Sequence, residues 1–202
     1  EFRRVLFRSA GVDWAWYAGG WQIAVQGAGD DGQFPPNPNF QYHHQPFNYF
    51  AALGPDREAR ARHLRDAGLG DNARTNHFLA DVETGKLPPV TFYKPQGNLN
   101  MHAGYSDVDS GDRHIAAVVD ALRNGPQWDR MMIVITFDDG TIDHGLTVFP
   151  VLRQYGFPST FFVVSGFTGT AGYLNWDQLR AMRAAGMEIG SHSAHHPRLS
   201  DV

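Results

Sequence analysis

Five consecutive apolar residues, Met131-Met132-Ile133-Val134-Ile135, lead through Thr136-Phe137 into two adjacent carboxylates and a glycine, Asp138-Asp139-Gly140. Such a run predicts a buried strand that stops at a charged tip, the place where α/β enzymes keep their chemistry. Neighbouring side chains in a regular strand point to opposite faces. Asp138 and Asp139 can therefore share one site only if the strand has ended and Gly140 lets the backbone turn.

The surrounding chain is long enough to supply a core. It has 202 residues, of which 42% are hydrophobic, a globular composition for one large domain or two small ones. Net charge is −4 with no long basic run, which argues against nucleic acid or an anionic membrane as the main partner and favours a small or neutral substrate. There is no cysteine, so a bound metal must be held by His, Asp, Glu and water; ten histidines make that practical. No apolar run approaches the ~18 residues of a membrane span. The opening Glu1-Phe2-Arg3-Arg4-Val5-Leu6-Phe7-Arg8-Ser9 lacks the apolar core of a signal peptide and reads as a cloning or adaptor scar over residues 1–9. It gives no address, so the compartment is unspecified.

From residue 10 to about residue 87 the chain is aromatic, rich in Gly and Pro and weakly periodic, which predicts loops and short strands wrapped over a scaffold. Trp14, Trp16, Tyr17 and Trp21 read as packing of large rings in preference to a sugar-stacking surface. A mostly polar helix is expected from about Asp56 to Ala67. Order improves from Pro88: a strand over Val90–Tyr93, a helix with Ile115, Val118, Val119 and Leu122 on one face, Ser110 as its N-cap and Gly125-Pro126 as its stop. With the strand at 131–137 this makes a β-α-β unit with parallel strands. A helix over Leu146–Tyr155, a strand over Ser159–Ser165, a helix opened by the Asn175/Gln178 capping box and ended at Gly186, and a strand over Met187–Ser191 continue the alternation. In a parallel sheet the carboxyl ends lie on one side, so Asp138-Asp139 and His192 can converge although ~50 residues separate them.

His192 and His196 stand four apart, one helical turn, which puts both imidazoles on one side, and Pro197 keeps that turn single. With Asp139 they form a two-histidine, one-carboxylate set with open positions, usual for Zn²⁺ and acceptable to other divalent metals. Such a metal brings the pKa of bound water from ~15.7 to ~7–9, and Asp138 beside it takes the water's proton as general base. His195 faces away into solvent. Phe-Asp-Asp-Gly alone is a common turn; the two elements at matching strand ends are more specific together.

Thr136-Phe137-Asp138-Asp139-Gly140, Pro158-Ser159-Thr160-Phe161-Phe162-Val163, Asn175-Trp176-Asp177-Gln178-Leu179 and Glu188-Ile189-Gly190-Ser191-His192-Ser193 through His196-Pro197 and Leu199-Ser200 resemble the polysaccharide deacetylase family, the NodB-homology domain of carbohydrate esterase family 4. The likeness runs from about 131 to 202. It implies a distorted (β/α) barrel, Asp138 as catalytic base, Asp139, His192 and His196 as metal ligands, and removal of N- or O-acetyl groups from a carbohydrate. The family's later Arg-x-Pro-Tyr segment and its late general-acid His find no counterpart before Val202, so an incomplete barrel and site are expected.

Residues from about 11 to 138 resemble a different family. Trp14-Ala15-Trp16-Tyr17-Ala18-Gly19-Gly20-Trp21, Phe40-Gln41-Tyr42-His43-His44-Gln45-Pro46-Phe47, Lys94-Pro95 to Asn100, His102-Ala103-Gly104-Tyr105 and Gly111-Asp112-Arg113-His114-Ile115 are similar to the phosphoesterase family of bacterial acid phosphatases and phospholipases C. That resemblance implies part of an alkaline-phosphatase-like α/β/α sandwich in which His43, His44 and His102 line a phosphate site, and a phosphate ester as substrate. Asp138 falls on that family's metal-binding Asp, whereas Asp139 and Gly140 depart from its pattern. The family's metal segment and hydroxyl nucleophile would lie upstream of residue 10.

The expected whole is an α/β composite: a phosphoesterase-like segment over 10–130 joined to a truncated deacetylase-like segment over 131–202. A join inside a shared short motif is what a recombined or misassembled reading frame gives, and an inert fragment is the third reading. Both parent families are usually extracytoplasmic.

Overall fold

The aromatic stretch near the start builds the middle of a sheet. In the computed structural model the described residues are 11–27, 40, 44–101 and 106–197. The chain divides into two compact units, Glu1–Met131 and Met132–Val202.

In the first unit, strand β1 (Trp14–Gly19) lies between β2 (Leu64–Gly68) and β3 (Val90–Lys94), all parallel, in the order β2-β1-β3. Helices α1 (Trp21–Gly27), α2 (Glu58–His63), α3 (His77–Glu83) and α4 (Val108–Asn124) connect and cover these strands. Ala15, Tyr17 and Ala18 of β1 are buried, and Ala18, Trp21, Ala24, Phe40, Phe47, Leu53 and Leu64 form one apolar cluster. The stretch does hold the expected short strands, but they are not wrapped over another scaffold: they form this unit's own sheet and apolar cluster. Its periodicity is weak because a central parallel strand is covered on both faces and need not alternate.

The expected helix from Asp56 to Ala67 stops at His63 and becomes β2. His63 stacks on Trp14, centroids 4.3 Å apart, and its Nδ1 lies 2.7 Å from the Trp14 carbonyl. From Leu64 onward pairing with β1 (Trp16 opposite Leu64, Ala18 opposite Asp66) overrides helical propensity. The cap of α4 is Asp107 and not Ser110: Asp107 accepts from the Ser110 amide at 2.7 Å, and Ser110 Oγ donates to its other oxygen at 2.9 Å.

In the second unit β4 (Thr136–Phe137), β5 (Thr160–Val163) and β6 (Glu188–Ser191) form a parallel sheet in chain order. A π turn (His144–Val148) runs into α5 (Phe149–Gln154), with Pro150 in its first turn, and α6 (Trp176–Ala184) precedes β6. Asn175 and Gln178 make the expected capping box. Phe161, Val163, Leu174, Leu179, Met182 and Met187 form the core.

The expected strand at 131–137 is shorter than its apolar run. Only Thr136 and Phe137 pair, opposite Thr160 and Phe161, and Met132 and Val134 are 87% and 66% exposed. The register gives the reason: residues before Thr136 would have to pair with chain before Thr160, where Pro158 has no amide to offer. β3 and β4 also belong to different sheets, so no β-α-β unit joins them. Among the described residues no helix is long and apolar enough to cross a membrane.

Candidate metal centre

β5 is flanked by β4 and β6 in register, Phe137 beside Phe161 beside Ile189, so the chain leaves β4 and β6 on the same side of the sheet. Asp138 and Asp139 follow β4, and His192 follows β6, its amide donating to the Val163 carbonyl at 2.9 Å.

Both loops that carry these candidate residues are bent by unusual backbone. Asp139 has φ +69° and Gly140 φ +75°, so the turn expected at Gly140 begins one residue earlier. The two carboxylates consequently differ: Asp138 is exposed, Asp139 half-buried. Ser193 (φ +68°) and His196 (φ +50°) bend the other loop. A helical turn was expected between the histidines; a non-helical bend replaces it, because these two residues occupy the left-handed region and Pro197 disfavours the right-handed helix at His196. Ser193 Oγ accepts from the His196 amide at 2.9 Å and fixes the bend. Left-handed backbone at residues other than glycine is uncommon, and three such positions lie in these two loops.

Asp139 Oδ1 lies 3.5 Å from His192 Nε2 and 3.4 Å from His196 Nε2, and one donor atom from each of the three residues falls within 4.8 Å of the others. Ligands at ~2.0–2.2 Å from a tetrahedral ion stand ~3.3–3.6 Å apart, so the two Asp139 spacings fit a divalent cation. The imidazole centroids are 4.9 Å apart. His195 is exposed, as expected.

His144, not singled out in the sequence, sits beside this group. Its ring packs against Phe137 and Phe161 at 5.6 and 5.8 Å, and its buried Nδ1 has no hydrogen-bond partner among the described residues. Burial lowers its pKa, against an opposing pull from Asp143, Asp138 and Asp139, which favours a neutral ring. A π turn ahead of a helix was its only available signal, and that is invisible in sequence.

The residues expected to line a phosphate site fare differently. His43 and His102 lie outside the described residues. His44 is 1% exposed, packed edge-on to Phe40, with its carbonyl accepting from Trp16 Nε1 at 2.8 Å.

Comparison with known proteins gives two affinities. The Phosphoesterase family matches residues 5–180, past Asp138 and into the second unit. A non-specific phospholipase C6 of Arabidopsis thaliana is 32% identical over 111 residues, 50% of this chain and 20% of that protein. A putative polysaccharide deacetylase, YxkH, of Bacillus subtilis (strain 168) is 35% identical over 70 residues, 35% of this chain and 25% of that protein. The chain thus spans a quarter or less of the length of these relatives. Among solved structures, the Streptococcus pyogenes deacetylase PplD in complex with acetate shows 32% identity and a TM-score of 0.35, covering 42% of this chain and 38% of that one. IcaB from Ammonifex degensii shows 26% identity and a TM-score of 0.35, covering 48% and 50%. The chain carries both resemblances, to phosphoesterases and to polysaccharide deacetylases, and by a match that covers most of its length it belongs to the Phosphoesterase family.

Proposed function

We propose that the second unit is a metal-dependent deacetylase centre acting on N- or O-acetylated sugar, with Asp139, His192 and His196 as ligands and Asp138 as base. The observation that carries this is the approach of the three donor atoms to within 4.8 Å. A divalent cation held there, Zn²⁺ first among candidates, would supply Lewis acidity toward the acetyl carbonyl and toward water. Asp138, exposed and adjacent in sequence to the ligand Asp139, removes the proton from the attacking water. The new C–O bond forms at the acetyl carbon, the bond to the sugar nitrogen or oxygen breaks, and acetate leaves while the sugar takes the proton. In this reading the gathered residues are part of a catalytic set, and the second unit is part of a deacetylase barrel joined chimerically near Met131 to part of a phosphoesterase sandwich.

The test is release of acetate from an acetylated chitooligosaccharide with zinc present, alongside calorimetric titration of Zn²⁺ into the chain and into its His192→Ala variant. One site lost in the variant is the expected result; no zinc binding in the parent chain refutes the metal reading. The family match favours a second reading, phosphate-ester hydrolysis served by His43, His44 and His102. Release of p-nitrophenol from its phosphate ester reports on it, and two blank assays leave an inert fragment.

A further inference from the structure

The chain leaving β5 carries none of the proposed ligands, yet it is bonded to both loops that do. The Val163 carbonyl accepts from His192 N at 2.9 Å, and Val164 N donates to the Asp139 carbonyl at 3.4 Å. Ser165 N donates to the Ser193 carbonyl at 3.1 Å, and Gly166 N to the Ala194 carbonyl at 2.9 Å. Four consecutive residues thus grip Asp139 on one side and His192–Ala194 on the other. Two steric facts show how close the grip is. A Cβ on Gly140 would come 2.6 Å from Val163 Cγ1, and a Cβ on Gly166 would overlap the Ala194 carbonyl oxygen and lie 2.9 Å from His195 Nδ1. Gly166 is not among the glycines of positive φ, so its requirement is the close approach and not its own backbone conformation.

From this we infer that Val163–Gly166 is a positioning element for the proposed metal centre, setting the distance between Asp139 and the two histidines, with Gly166 as the residue that lets the histidine loop dock. The inference rests on the metal reading above. Rotation of Asp139 or His192 about its own side chain cannot recover 3.4–3.5 Å spacings once the two backbones separate, so the segment acts through the ligands without touching the ion.

The experiment compares Gly166→Ala with Gly186→Ala. Gly186 (φ +93°) has no atom within 4 Å of a built Cβ, so that variant strains the backbone beyond α6 without touching the ligand loops. Zinc affinity by calorimetry should fall at least tenfold in Gly166→Ala and stay at the parent value in Gly186→Ala. In metal-free protein the nuclear Overhauser effects between the Asp139 β-protons and the His192 and His196 rings should vanish only in Gly166→Ala. Unchanged zinc affinity in Gly166→Ala, or losses in both variants that track their lost stability, would overturn the inference. A parent chain that takes no zinc defeats the metal reading; the Asp139-to-ring effects then decide the positioning element by themselves, their persistence in Gly166→Ala counting against it. Should Gly166→Ala not fold, amide exchange in the parent chain replaces it. Zinc should slow Val164, Ser165 and Gly166 more than Thr160–Phe162, and equal slowing would refute the assignment.

Discussion

Asp138 and Asp139 are adjacent and chemically identical, yet the bend at Asp139 leaves one exposed and the other half-buried, and under the proposed metal reading Asn substitutions should separate them. Zinc at 100 times its dissociation constant stabilises a folded unit by about 2.7 kcal/mol. For a unit in the size class of 60–100 residues each kcal/mol moves the melting temperature by ~4–8 °C, so zinc should raise the transition of the second unit by ~10–20 °C. Asp139→Asn removes the carboxylate whose Oδ1 sits 3.4–3.5 Å from both imidazoles. If affinity drops about a hundredfold, the same zinc concentration stabilises by RT ln 2, about 0.4 kcal/mol, and the shift shrinks to ~2–3 °C. Asp138→Asn should keep the whole shift and lose ~10²–10⁴-fold in acetate release. Scanning calorimetry of the three proteins with and without zinc reads the first pair of numbers. An Asp138→Asn variant that loses its zinc shift, or an Asp139→Asn variant that keeps it, refutes the division of roles.

Other outcomes follow from the packing and the titrating groups. Phe161, 0% exposed and stacked on Phe137 at 5.1 Å, should cost ~3–5 kcal/mol as Phe161→Ala, enough to unfold the second unit in a denaturant titration. Asn175→Ala removes half of a capping box and should cost ~1 kcal/mol, seen in melting, with zinc affinity untouched. Tyr93→Phe takes away the hydroxyl that lies 2.6 Å from His114 Nε2 and accepts from Asn76 at 3.0 Å, and should cost ~1–3 kcal/mol in the first unit by denaturant titration. Burial holds the His114 pKa below 6.5, so as pH falls below about 6.5 the unfolded chain gains a proton the folded one refuses. Stability should be full above that value and decline toward pH 5; melting in His114→Gln should fall less steeply over the same range, and an equal slope would exclude His114 as the cause.

What could be read from sequence was the chemistry of short stretches; what could not was set by neighbours. Asn175 and Gln178 cap one another locally, so their pattern sufficed. The same holds for Asp139, His192 and His196, whose meeting needed only parallel strands that end on one side. Leu64–Ala67 looked helical because its strand state comes from β1, which is far away in sequence. Met131–Ile135 looked like a buried strand because its composition reports hydrophobicity, and not whether a partner strand reaches it. His144 was overlooked because its place beside this group is set by packing on rings from β4 and β5.

The order of strands in the second sheet carries a kinetic consequence. Each strand pairs with the one before it in the chain, so every pairing closes a single short crossover. Contacts this local favour rapid formation, in contrast to the first sheet, where β3 must bypass β2 to reach β1. The loops bearing Asp139 and His192 are both bonded to the chain leaving β5, so neither is fixed before that middle strand has docked on both sides. Binding competence should therefore arrive in refolding as a single phase coincident with burial of Phe161, with no earlier species able to hold a cation.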